Sequence, residues 1–193
     1  MLKMSHPETS HPTIRQRKPP SRRSRSGLIR HACDITSQNG EDGVIKRILE
    51  LLPPARVRWC VDVGAWDGQH LSNTYSLLNN VAGSGGLALQ DSEWCGILIE
   101  ADEKRFEDMR SLYAKRDEVI CLNKCISVAP EADHGLVRIL SQKGSSLGLP
   151  VDFDFLCIDI DGADYWVLYD LWTSNRFFPK IVCIEFNPTM PDD

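Results

Sequence analysis

A Rossmann-like α/β fold, with a mostly parallel sheet and helices on both faces, is predicted by three observations. Short apolar runs alternate with segments whose apolar residues recur at helical spacing. The first run ends in an Asp-x-Gly turn. The later runs end on acidic or amide residues. The expected arrangement is a three-layer sandwich with strand order about 3-2-1-4-5, lacking the usual last two strands of such a fold.

The elements follow in chain order. In 41–52, Val44, Ile45, Ile48, Leu49 and Leu52 lie at helical spacing, and Pro53 and Pro54 stop that helix. The run 58–64, Arg-Trp-Cys-Val-Asp-Val-Gly, reads as a strand and a tight turn. A helix is expected from about Gln69 to Asn79, with Leu71, Tyr75 and Leu78 on one face. Residues 82–93 hold Gly-Ser-Gly-Gly and read as a loop. Cys95–Ile99 is a second strand ending on Glu100, followed by a helix over 103–115 with Phe106, Met109 and Tyr113 on one face. Val119–Leu122 is a third strand. Across 126–152 the pattern is ambiguous: Leu136–Leu140 reads as a short strand and Lys143–Gly148 as a flexible turn. A fourth strand spans 153–160, a helix 164–174 and a fifth strand 181–184. Alternating strands and helices imply right-handed crossovers between parallel strands.

The chain has 193 residues and a net charge of -5. Residues 1–30 carry eight Lys/Arg against one Glu, so about +7, which leaves about -12 on the remainder. An acidic body is a poor general partner for nucleic acid. The basic, Pro-rich and Ser-rich segment 1–30 is expected to be a disordered tail preceding a domain over 31–193. Its composition also resembles a mitochondrial presequence, but Pro7, Pro12, Pro19 and Pro20 oppose the amphipathic helix such a signal needs. No apolar run reaches the ~20 residues of a membrane span. Seven cysteines, three of them (Cys60, Cys157, Cys183) in strand-like runs, suit buried reduced thiols and a cytoplasmic setting. Cys121 and Cys125 have the spacing of half a metal site without a second pair; no metal is expected.

In open parallel sheets, ligands sit at the carboxyl ends of the strands where the order reverses. Those ends are Asp62–Gly64, Glu100, Asn123, Asp159–Asp161 and Glu185–Asn187. Gly64 and Gly68, in Asp62-Val-Gly-Ala-Trp-Asp-Gly68, let the backbone turn and approach a ligand. The spacing is not Gly-x-Gly-x-x-Gly, and no Lys-Ser/Thr follows, so a ligand without a pyrophosphate fits better. Glu100 can accept hydrogen bonds from both hydroxyls of a ribose. Asp159 and Asp161 share one side of the strand. They could orient an amine or hydroxyl, act as a base, or hold a cation, and Asp164 could be the N-cap of the next helix.

These motifs, in this order, resemble the FkbM family of S-adenosylmethionine (SAM)-dependent methyltransferases. Ser37-Gln-Asn-Gly-Glu-Asp-Gly43, Ser72-Asn-Thr74, Trp94-Cys-Gly-Ile-Leu-Ile-Glu100 and Ile184-Glu-Phe-Asn-Pro188 resemble an uncharacterised subgroup near it. The resemblance covers about residues 36 to 191. It implies a SAM site lined by Asp62, Gly64, Ala65, Gly68, Glu100 and Asn123, with Asp159 and Asp161 facing the methyl-transfer centre. It implies O-methylation of a small molecule or sugar hydroxyl. The chain departs from the pattern by its 82–93 loop and by ending just past strand five. From that ending follow the expectations of a truncated product and of a homodimer through the exposed sheet edge. The rival readings are a non-catalytic binding protein on the same fold and, more remotely, an NAD-dependent oxidoreductase.

Overall fold

A computed structural model describes residues 27–81, 92–128 and 135–186. Most of the expected 1–30 tail, nearly all of the 82–93 loop, and Asn187 and Pro188 lie outside the described residues. Gly27–His31 forms a 3-10 helix, so the last residues of the expected tail have regular structure.

Five strands form one parallel sheet: β1 (Val57–Val63), β2 (Glu93–Glu100), β3 (Val119–Asn123), β4 (Phe155–Ile158) and β5 (Ile181–Ile184). Their order is β3-β2-β1-β4-β5, the order expected of the Rossmann-like fold. β1 pairs with β2 from Val57↔Glu93 to Val63↔Ile99, and with β4 from Cys60↔Phe155 to Val63↔Ile158. The order therefore reverses beside β1, and a crevice opens between the ends of β1 and β4.

Period-two alternation splits the core into two layers. Trp59, Val61, Val63, Ile97, Ile99, Leu156 and Ile158 face one side. There they meet α4 (Leu136–Ile139), a π-helical stretch over Leu140–Gly144, and α6 (Asp164–Thr173) through Leu136, Ile139, Leu140, Val167 and Leu171. Cys60, Leu98, Phe155 and Cys157 face the other side. They pack on Ile45 and Leu49 of α1 (Glu41–Leu51), Leu77 and Leu78 of α2 (Tyr75–Leu78), and Met109 of α3 (Glu103–Leu112). α1 ends as expected: Leu52 is extended ahead of Pro53, whose ring disfavours a helical neighbour.

Three expectations fail. The helix expected over 69–79 shrinks to α2. Leu71 has a left-handed φ of 53° and is exposed, while the Asp67 carboxylate accepts the amides of Gln69 and His70. Side-chain acceptors replace the first helical turn, and Ser72 Oγ accepts the Tyr75 amide where α2 begins. The strand expected at 136–140 is helical. Leu136, Ile139 and Leu140 are buried at i, i+3 and i+4, a spacing too brief in sequence to separate the two periods. The expected flexible turn 143–148 continues this helix through α5 (Ser145–Leu147) to left-handed Gly148.

One buried ion pair ties the amino ends of the strands together. Arg58 donates to Asp154 Oδ1 at 2.8 Å, the Trp59 amide to Oδ2 at 3.0 Å, and Lys180 to Oδ1 at 3.1 Å. β1, β4 and β5 are thereby joined at the end of the sheet opposite the crevice.

Candidate ligand cavity at the strand ends

A cavity of about 480 Å³ opens over the carboxyl ends of β1, β2 and β4. Its lining includes Asp62, Gly64, Ala65, Glu100, Asp159 and Asp161 of the expected site. Gly68 and Asn123 are not among the lining residues.

The turn after β1 is held by its own backbone. The amides of Gly64 and Ala65 both donate to the Ile99 carbonyl, at 2.9 and 3.0 Å. Gly68 N–H donates to the Ala65 carbonyl at 2.8 Å, and Trp66 N–H to Glu100 Oε2 at 2.9 Å. Gly64 has φ of 86°, and a Cβ there would lie 1.8 Å from the Asp159 carbonyl oxygen, so a side chain is excluded by β4. Gly68 serves packing instead: a Cβ would press on Tyr113 and Met109, and the Tyr113 hydroxyl donates to its carbonyl. With these four amides spent inside the protein, the turn is no anion cradle.

Glu100 is buried, and each of its oxygens accepts one backbone amide: Oε2 from Trp66 and Oε1 from Asp102, at 2.8 Å. A carboxylate offers about four acceptor positions, so one per oxygen remains for a ligand. Asn123 works on the same loop from outside, its Nδ2 donating to the carbonyls of Glu100 and Ala101. Asp102 caps α3 by accepting the Arg105 amide, and the Arg105 guanidinium lies 3.4 Å from the centroid of the Trp66 ring.

Asp62 is 3% exposed and accepts the Thr74 hydroxyl at 2.6 Å. Burial pushes its carboxyl up to about 6, against the opposing Thr74 hydrogen bond; Asp159 and Glu100 add repulsion. The loop carrying Thr74 is bracketed by Asp42. Asp42 Oδ2 accepts the amides of Ile35, Thr36 and Ser37, and Oδ1 the Ser76 hydroxyl. Burial raises the Asp42 carboxyl, but the hydrogen bonds from Ser76, Ser37 and Ile35 outweigh it and hold it below the usual range. The Ser37–Gly43 and Ser72–Thr74 motifs thus form one hydrogen-bonded wall, with Gln38, Ser72 and Asn73 lining the cavity.

Beyond β4, Asp159 and Asp161 are exposed, and Asp161 has φ of 56°. Asp164 is not the helix N-cap: Ala163 holds that position. The Asp164 carboxylate instead accepts the amides of Ile160 and Gly162, at 2.8 and 2.9 Å, and so shapes the loop that carries Asp161. Partial burial, then Asp164 and Asp161, raise the Asp159 carboxyl. Glu185, at the end of β5, is raised as well, by burial and then by Asp159, Asp161 and Asp164, and it shares a hydrogen bond with Asp159. Two neighbouring carboxyls, both raised, give the rim a stronger proton acceptor than an isolated carboxylate.

Sequence reasoning placed Glu185 among the strand ends without giving it a role. It gave Asn73 only as part of the Ser72-Asn-Thr74 motif and did not single out Arg105 or Lys124, which also line the cavity. Their separation in the chain hides them, since only the fold brings α3 and the post-β3 segment to this rim. Asn73 Oδ1 is buried without a hydrogen-bond partner among the described residues.

The strand order and the acid-lined crevice define an α/β protein of the Rossmann-like kind with a cavity at its switch point. No family model and no curated protein matches the chain. Among solved structures, it is similar to the CurJ carbon methyltransferase at 15% identity and a TM-score of 0.42. The match covers 72% of this chain and 31% of that one, so the chain spans less than a third of that protein's length.

Proposed function

We propose that this domain binds SAM and transfers its methyl group to a hydroxyl oxygen of a small molecule or sugar. The observation that carries this reading is the chemistry of the cavity wall. It offers Asp62 and the open acceptor positions of Glu100, while the glycine-turn amides are spent. Such a wall suits a ligand rich in donors and positive charge, and it does not suit a pyrophosphate. That disfavours the nicotinamide reading.

SAM fits this donor set through its ribose hydroxyls, its ammonium and its sulfonium, and when bound it supplies an electrophilic methyl group. Glu100 would accept the ribose hydroxyls. Asp62, Gly64 and Ala65 would line the floor, with the carboxylate of Asp62 near the positive charge. Asp159, with Glu185 beside it, would remove the proton of the acceptor hydroxyl. Asp161 would orient that hydroxyl. Holding acceptor and donor in line is the main requirement, because effective molarity accounts for much of the rate. In this reading Gly68 and Asn123 support the site from behind rather than touch the ligand.

The test is calorimetric titration of the purified chain with SAM, S-adenosylhomocysteine and NAD, followed by a methyl-transfer assay on a panel of hydroxylated acceptors. Micromolar binding of the first two and none of NAD is expected, with transfer lost in Asp159→Asn. Binding of NAD alone would overturn the cofactor assignment. SAM binding without transfer to any acceptor would make the domain a non-catalytic binder.

A further inference from the structure

We propose that Cys157 and Cys183 form a reactive dithiol at the floor of the cavity, which a low-molecular-weight disulfide of the glutathione type oxidises to a reversible interstrand disulfide. The proposal stands on thiol geometry and is independent of the cofactor reading.

Cys157 and Cys183 are direct register partners on the neighbouring parallel strands β4 and β5. Both side chains fall in the same core layer. Adjacent strands lie about 4.8 Å apart, inside the ~4.4–6.8 Å Cα window that a disulfide requires. The two sulfurs already converge: Asn73 Nδ2 donates to each of them at 3.6 Å, and the thiols share a hydrogen bond. Cys157, though buried, borders the cavity, and its register partner Cys183 is partly exposed.

The two thiols are unequal. The hydrogen bond from Cys157 holds the Cys183 thiol below the usual range in spite of burial. The same bond, and then burial, push Cys157 well up. Burial also pushes Cys121 up to about 11 and Cys60 well above the usual thiol range, so those thiols are poor nucleophiles. The Cys183 thiolate attacks one sulfur of the external disulfide. That S–S bond breaks and one thiolate leaves, taking up from solvent the proton that Cys183 had given up. The Cys157 sulfur then attacks the Cys183 sulfur and expels the second thiolate, which takes the proton that Cys157 loses. Two cysteine thiols and one external disulfide become one protein disulfide and two external thiols.

Parallel strands hold facing Cβ atoms at about the strand spacing, wider than the ~3.8 Å a relaxed disulfide prefers. Closure must draw β5 toward β4. β5 is four residues long and pairs only with β4 among the described strands, so it can shift. A bond formed under such tension is readily reduced, which suits a reversible modification and not a structural staple.

The experiment treats the native chain with oxidised glutathione, alkylates the remaining thiols after unfolding, and maps peptides by mass spectrometry without reduction. A Cys157–Cys183 crosslink released by dithiothreitol is expected. Cys157→Ser should instead keep glutathione on Cys183, and Cys183→Ser should leave Cys157 unmodified. Phenylarsine oxide, which bridges neighbouring thiols, gives a readout on the unaltered chain should a serine variant fail to fold. It should protect both cysteines from alkylation. Recovery of both as free thiols after glutathione treatment, or alkylation of either in the presence of phenylarsine oxide, would overturn the proposal.

Discussion

Glu100 is both a structural acceptor, closing the Trp66 and Asp102 amides, and the proposed ribose ligand. Glu100→Gln keeps the shape and loses the charge. Losing one or two charged hydrogen bonds costs about 1.5 kcal/mol or more, so S-adenosylhomocysteine should bind at least ~10-fold more weakly by calorimetry. The melting temperature should fall too, because the new amide cannot accept on both sides. Unchanged affinity would remove Glu100 from the ligand. Asp62 makes a prediction about pH. Its pKa rises from the ordinary aspartate value of 3.8 to about 6 in the fold, chiefly through burial, so the folded state holds the proton more tightly than the unfolded chain. Its contribution to stability is complete below pH 3.8 and is lost as the pH rises through about 6. A shift of this size corresponds to roughly 3 kcal/mol. Asp62→Asn should therefore flatten the decline in denaturation midpoint across that window. An identical slope in wild type and variant would mean that Asp62 titrates normally. Binding of a cationic ligand should strengthen over the same window, as Asp62 ionises.

The strand-to-turn junctions set how tightly the elements fit. Gly64→Ala would place a methyl 1.8 Å from the Asp159 carbonyl oxygen at a left-handed φ, forcing β1 and β4 apart. A loss of about 3 kcal/mol or more is expected in chemical denaturation, together with loss of ligand binding. At the opposite end of the sheet, Asp154→Ala strands the buried Arg58 and frees the Trp59 amide. Removing one partner of such a pair costs roughly 3–5 kcal/mol, and the variant should unfold at markedly lower denaturant while leaving the cavity residues untouched. The strands and the long helices were legible in sequence because apolar runs such as Cys95–Ile99 and periodic segments such as 41–52 carry their own period. The polar strand ends were legible for the same reason, as breaks in those runs. What could not be read was decided by side chains acting on distant or local backbone. Asp67 consumes the first turn of the expected helix, Asp164 shapes the loop before it instead of capping its own helix, and Glu185 meets Asp159 only once β5 is docked.

At the scale of the whole molecule, α6 carries a patch of exposed aromatic surface. Tyr165, Trp166 and Tyr169 of α6 touch one another edge-on or stacked yet stay exposed, and Trp172 is 72% exposed. Phe186, past the end of β5, is 85% exposed. Contiguous aromatic surface of this kind promotes association. The chain is expected to self-associate in light scattering as its concentration rises, and Trp166→Gln with Trp172→Gln should shift it toward monomer with little change in unfolding. A wild-type chain that stays monomeric at every concentration would contradict this. No helix among the described residues is long and apolar enough to cross a membrane. The Arg58–Asp154 bond has one more consequence, which concerns time. It joins residues 96 positions apart, so the central strand must wait for half the chain before its second neighbour can arrive. Loops that long close slowly, and a protein is synthesised at only ~5–20 residues per second. The cavity, whose floor needs both neighbours of β1, is therefore completed late in folding. A small molecule that grips it can secure the finished protein, but it has nothing to hold while the first half of the chain is still searching.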